Sequence, residues 1–167
     1  MKLTAIVLLV FSASVAVAQP ARIHKEYRQA NFKGIRYGLF VPSGQVPGKL
    51  YPLVLYLHGS GDTVSRDNYW YKESIQKENP LFVVTPKCLN GNQGWGNTWS
   101  AQHSPEMSKS LALVDSLVRK YPIDPNRLYI YGISMGGFGV FSVLQKNPGK
   151  FAAAYAICGG SDPAAAA

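Results

Sequence analysis

Four short apolar runs constrain this chain more than any other feature: residues 53–57, 81–85, 128–133 and 151–157. Each is too short for a buried helix. The first three lack the apolar–polar alternation of a strand with one wet face and read as strands buried on both sides; the fourth reads as a further strand. Helical patterns separate them. Residues 67–78 suit a helix, with Pro80 beyond the end. Ser104, Pro105 and Glu106 form a helix start: a cap, a first-turn proline and an acid facing the dipole. Met107, Leu111, Val114, Leu117, Val118 and Tyr121 then repeat at helical spacing until Pro122. Residues 135–145 make a third helix. Residues 27–32 and 35–41 flank Lys33-Gly34 and read as a hairpin. The alternation predicts an α/β fold: a mostly parallel sheet covered by helices on both faces, entered through an antiparallel hairpin. At 167 residues the chain is one domain at most.

Ligands of such sheets sit beyond the carboxyl ends of the strands. Three segments end there: His58-Gly59-Ser60-Gly61, Pro86-Lys87-Cys88, and residues 132–136. The last reads G-I-S-M-G and matches G-x-S-x-G. Alone the pattern is weak, and a plain helix start capped by Ser134 would explain it. Its context is more specific, because the serine follows a buried strand and opens a helix. A strand turning at once into a helix forces the serine into strained backbone, at about 1–3 kcal/mol. Side chains at 132 and 136 would then collide, which accounts for both glycines. Ser134 becomes a candidate nucleophile, and the N–H of Met135 a candidate oxyanion donor at a helix start. The glycine-rich turn at 58–61 supplies the second donor such chemistry needs: Ser60 first, Gly61 second.

H-G-S-G after one buried strand, P-K-C after the next and G-I-S-M-G-G after the third resemble the α/β-hydrolase superfamily. Within it, the chain is similar to secreted esterases of the carboxylesterase/phospholipase and polyhydroxybutyrate-depolymerase type, including a group of predicted peptidases. The likeness runs from about Tyr37 to Asp162. It implies that Ser134 is the nucleophile and that the N–H groups of Ser60 and Met135 hold the oxyanion; no metal-ligand spacing or phosphate loop appears in the sequence, so no cofactor or metal is expected. The likeness also implies a small-molecule or polysaccharide-linked ester as substrate. A peptidase of the same fold stays open as an alternative.

Family chain order is serine, acid, histidine. After Ser134 the only acid is Asp162, and no histidine follows; His24, His58 and His103 all lie upstream. The expectation is that residues 19–167 are the N-terminal portion of an α/β-hydrolase domain whose last strands are missing. Loss of a triad costs up to about a millionfold in turnover, so these residues by themselves should be nearly inactive. Two alternatives stand beside a missing C-terminal portion. The protein is a binding module without catalysis, or an upstream histidine serves as base. His58 is the only one near the serine in the predicted sheet, but a histidine in such a turn usually holds the loop by hydrogen bonds. Asp162 is a candidate acid, since it follows the next strand; a Gly-Gly-Ser-Asp stretch is also an ordinary turn.

Residues 1–18 read as a signal peptide. Lys2 precedes the apolar stretch 4–17, which falls short of the roughly 20 residues that span a bilayer, and Ala16-Val17-Ala18 offers small residues for cleavage. The expected location is secreted or periplasmic, with no membrane span after cleavage. The formal charge of +8 is scattered, without a like-charged run. It reads as solvated surface, and no nucleic-acid motif accompanies it. Tyr69, Trp70, Tyr71, Trp95 and Trp99 fall in or after loops at the presumed active face, where they either stack on substrate or pack the loops. In α/β-hydrolase order the strands preceding Cys88 and Cys158 lie three places apart, about 14 Å, beyond the roughly 7 Å reach of a disulfide.

Overall fold

The computed structural model describes residues 26–61, 68–89 and 94–165. The signal-peptide reading, His24 and parts of two loops lie outside these residues. Among the described residues six strands form one sheet: β1 (Tyr27–Phe32), β2 (Ile35–Phe40), β3 (Tyr51–Leu57), β4 (Phe82–Pro86), β5 (Ile123–Ile133) and β6 (Ala153–Ile157). Their spatial order is β1-β2-β4-β3-β5-β6. The hairpin β1–β2 is antiparallel and joins β4 antiparallel; β4, β3, β5 and β6 run parallel. Asn31 shapes the hairpin turn, its side chain accepting the Gly34 N–H at 3.0 Å. Lys33 and Gly34 both take positive φ, the backbone that a tight turn needs.

Two helices share one face of the sheet: α2 (Pro105–Lys120) and α3 (Met135–Lys146). The α2 start follows its sequence: Ser104 Oγ accepts the Met107 N–H at 3.2 Å, with Pro105 in the first turn. Met107, Leu111, Val114 and Leu117 are buried against Leu53, Leu55 and Leu57 of β3 and Ile130 of β5. Val118 and Tyr121 are partly buried at the edge of this core. The opposite face is covered by a short 3-10 turn, Tyr69–Tyr71, and by α1 (Glu73–Glu78). Here Tyr71 stacks on Phe40 with ring centroids 5.0 Å apart, in a smaller core with Val54, Leu81 and Val83. The sequence predicts one continuous helix over 67–78. Instead Lys72 is extended, at φ −58° and ψ 134°, and splits the 3-10 turn from α1. Burying Tyr71 outweighs the continuity of the helix at that point.

Beyond this cover the second face shows a tier of tyrosines across three strands. Tyr56, Tyr131 and Tyr155 stack in sequence at 5.1 and 5.8 Å, and Tyr155 is exposed on the edge strand β6. A groove of about 430 Å³ runs along this face between Trp70, Leu81, Tyr129 and Tyr155. It opens toward the strand starts, at Pro52, Arg127 and Ala153, and so lies at the other end of the sheet from Ser134. No helix of the described residues is long and apolar enough to cross a membrane.

β5 begins five residues earlier than its apolar run. Its register with β3 shifts between Tyr51 and Leu53, where Tyr51 faces Ile123 and Leu53 faces Leu128. The intervening residues Asp124, Pro125 and Asn126 precede the apolar run. Asp124 ties them into the strand, accepting from Asn126 N–H at 2.9 Å and from Arg127 Nε at 2.7 Å, while Arg127 Nη2 donates to the Leu50 carbonyl at 2.6 Å. The paired Arg127 guanidinium holds the Asp124 carboxyl below its usual range. Cys88 and Cys158 follow strands three places apart, as expected, and no disulfide joins them.

Candidate active site

Ser134 sits between β5 and α3 with φ 53° and ψ −118°. That is left-handed backbone on a non-glycine residue, which costs energy and persists only where the surroundings enforce it. Packing around it does so. A methyl group on Gly132 would lie 2.3 Å from the Gly136 carbonyl oxygen, and one on Gly136 would lie 2.0 Å from that of Leu57. Only glycine lets β5, α3 and the end of β3 approach this closely. The Ser134 N–H donates to the Ile157 carbonyl at 2.8 Å, which fastens the bend to the end of β6. Its carbonyl accepts the Phe138 N–H at 3.1 Å, closing the first turn of α3. The side chain makes no capping bond and the residue is exposed. Ser134 therefore is not spent as a helix cap. Met135, the first residue of α3, has no partner for its N–H one turn back within the helix, so that N–H stands at the positive end of the helix dipole.

The turn at 58–61 adjoins this bend. A methyl group on Gly59 would lie 3.6 Å from Ser134 Cβ. Ser60 Oγ contacts Met135 Sδ at 3.6 Å. Gly61 has φ 75° and closes the turn. Ser134, Met135 and Ser60, read from separate motifs, thus meet at the carboxyl ends of β3 and β5, with Gly61 next in the turn.

His58 and Asp162 stand differently. His58 is buried, and both ring nitrogens are engaged by backbone: Nε2 lies 3.0 Å from the Cys88 N–H, and Nδ1 lies 2.7 Å from the Gly59 carbonyl oxygen. Because Nε2 must accept, the proton sits on Nδ1 and is donated to Gly59. The ring has no nitrogen left for the serine. Asp162 accepts the Ala164 N–H at 3.0 Å through its carboxylate, starting the short 3-10 turn Pro163–Ala165, and its own N–H donates to Thr98 Oγ1 at 2.7 Å. His103 pairs with the Asn147 side chain at the end of α3. Among the described residues no histidine is poised on Ser134.

The segment 94–102 lies beside the bend. A methyl group on Gly94 would meet Met135 Sδ at 2.7 Å. Trp95 is completely buried and donates through Nε1 to the His58 carbonyl at 2.9 Å. Of the aromatic residues that could stack on substrate or pack the loops, Trp95 and Tyr71 are therefore core, and Trp70 lines the groove at the far end of the sheet. Trp99 is exposed and lies 6.2 Å from the Phe138 ring on α3. Lys146 anchors the segment from the other end of α3, donating to the Asn97 carbonyl at 2.7 Å and to Ser142 Oγ at 2.9 Å. Burial pushes the Lys146 ammonium below its usual range. This anchor has no sequence signature, because Lys146 and Asn97 are 49 residues apart.

The sheet order, the strained serine bend and the adjoining glycine turn define an α/β-hydrolase. Comparison with known proteins agrees. Residues 89–166 match the prolyl oligopeptidase family. The bifunctional acetylxylan esterase/xylanase XynS20E of Neocallimastix patriciarum is 28% identical over 136 residues, which are 81% of this chain and 19% of that one. Poly(3-hydroxyalkanoate) depolymerase C of Paucimonas lemoignei is 29% identical over 72% of this chain and 30% of its own length. The crystal structure of a thermostable esterase superposes with a TM-score of 0.71 at 31% identity, over 85% of this chain and 43% of that one. The chain thus spans less than a third of either relative's length.

Proposed function

We propose that this chain carries the nucleophile and the oxyanion site of an exported serine hydrolase that cleaves carboxylic esters. The observation that carries the reading is the exposed Ser134, held at positive φ beside the turn containing Ser60. Ser134 Oγ attacks the acyl carbon of the ester and forms a C–O bond. Its proton passes to a base, which we assign outside the described residues, since His58 and His103 are engaged elsewhere. The carbonyl oxygen takes up the negative charge and is held by the N–H groups of Ser60 and Met135. The tetrahedral species then expels the alcohol, which leaves with a proton, and water releases the acid from the acyl-enzyme. Removing one such N–H donor typically costs about 3–4 kcal/mol of barrier stabilisation.

The ester reading is supported by relatives named as an acetylxylan esterase and a polyester depolymerase. The substrate class we infer is a small or polysaccharide-linked ester. Export rests on the signal-like residues 1–18. The prolyl oligopeptidase match supports a second reading, peptide cleavage by the same serine. A fluorophosphonate probe tests the nucleophile. The complete gene product should be labelled, and Ser134→Ala should abolish labelling. Hydrolysis of p-nitrophenyl acetate with no cleavage of aminoacyl-nitroanilides supports the esterase; the reverse selects the peptidase. A folded product that resists the probe and cleaves neither substrate refutes both and favours a binding role.

A further inference from the structure

We propose that Trp95 is a positioning residue for acyl transfer, acting through the oxyanion turn; the inference rests on the serine-hydrolase reading above. The problem it answers is the freedom of Gly59. Glycine has the widest backbone choice of any residue, and Gly59 lies between the His58 peptide and the Ser60 N–H. Packing does not restrict it: a methyl group there would make only ordinary contacts, at 3.5 and 3.6 Å. Something else must aim the Ser60 N–H.

Two side-chain hydrogen bonds do so, on consecutive peptide planes. The His58–Gly59 carbonyl receives the Trp95 indole N–H at 2.9 Å. The Gly59–Ser60 carbonyl receives His58 Nδ1–H at 2.7 Å. In a planar trans peptide the N–H points opposite to the C=O. Holding the Gly59 carbonyl toward His58 therefore turns the Ser60 N–H the other way. The indole supports both restraints, because its ring also packs edge-on against the imidazole, with centroids 5.2 Å apart at 73°.

Trp95 also touches the other half of the site. A methyl group on Gly139 of α3 would lie 2.5 Å from Trp95 Cβ, so the helix that opens at Ser134 leaves a notch that this residue fills. The indole is completely buried, so its rotamer is fixed by the core. One side chain thereby spans from the nucleophile helix to the oxyanion turn and sets the distance between them. Displacing catalytic groups by about 1 Å is enough to cost up to a hundredfold in rate.

The test is steady-state kinetics on the complete gene product, with Trp95→Phe and with β-(3-benzothienyl)alanine at position 95. The second variant keeps the two-ring shape and lacks only the N–H. Both should lower kcat about tenfold with KM unchanged, and weaken a trifluoromethyl ketone inhibitor, which forms an oxyanion, by the same factor. Affinity for the acid product should not move. A residue that merely stabilises the fold would lower the melting temperature and leave kcat and inhibitor affinity at wild-type values at permissive temperature; that result overturns the proposal. If Trp95→Phe does not fold, the isosteric variant alone decides. Wild-type protein that neither turns over esters nor reacts with fluorophosphonate overturns the serine-hydrolase reading together with this inference. An active wild type matched by the isosteric variant overturns the role of Trp95 alone.

Discussion

The two halves of the site are held in different ways. The bend at Ser134 is fixed by steric exclusion. Gly132, Gly136 and Gly137 each bring backbone against backbone at distances no other residue permits, and the strain at Ser134 is offset by the packing of β3, β5, β6 and α3 around it. The turn at 58–61 is fixed by polar restraint. Its Gly59 has room for a methyl group; the turn keeps its shape because His58, Cys88 and Trp95 bond to it. A bend held by exclusion tolerates almost no substitution at its glycines. The turn held by hydrogen bonds tolerates added bulk at Gly59 but not the loss of a donor.

Substitutions should separate the two. The largest effect is expected at the bend: Gly136→Ala drives a methyl group into the Leu57 carbonyl and should destabilise by about 3 kcal/mol, read by chemical denaturation. If Gly136→Ala matches wild type, exclusion does not hold the bend. His58→Ala comes next. It leaves the Cys88 N–H without its acceptor, opens a cavity under the turn and should cost about 2 kcal/mol. Ester turnover should fall further than stability alone explains. Lys146→Met removes the donor to Asn97 and Ser142 but also relieves the burial of a charge, so its cost should be only about 1 kcal/mol. Hydrogen exchange should quicken at 94–102 and not at 132–137; faster exchange at the bend would show that the two regions are not separately held. The smallest effect is expected at Gly59→Ala, within about 0.5 kcal/mol of wild type in stability. A large loss there would mean that the turn, too, depends on exclusion.

The same difference explains what was legible in the sequence. The four apolar runs became β3 to β6, and the alternation with helices fixed a parallel sheet with the hairpin at its edge. Ser134 and its flanking glycines are neighbours in sequence, so exclusion leaves a local pattern. The restraints on the turn leave none. Cys88 and Trp95 are 30 and 37 residues from His58, and nothing in G-W-G announces that the indole will meet a carbonyl on another strand end. In sequence Trp95 and the aromatic residues 69–71 therefore read equally as substrate contacts or as loop packing; Trp95 is core, and the small core under Phe40 takes Tyr71 and part of Trp70. The broken helix at Lys72 and the long β5 are hidden likewise, because tertiary burial and the Asp124–Arg127 bonds override the local preference for a helix and a turn.

In the mechanism proposed, the bend and the turn converge on one oxygen atom. A crystal structure of the complete gene product bearing a phosphonate on Ser134 tests it most directly. The phosphoryl oxygen should lie about 2.7–3.1 Å from the backbone nitrogens of both Ser60 and Met135. An oxygen held by neither nitrogen, or by Met135 with the turn at 58–61 swung away, would contradict it.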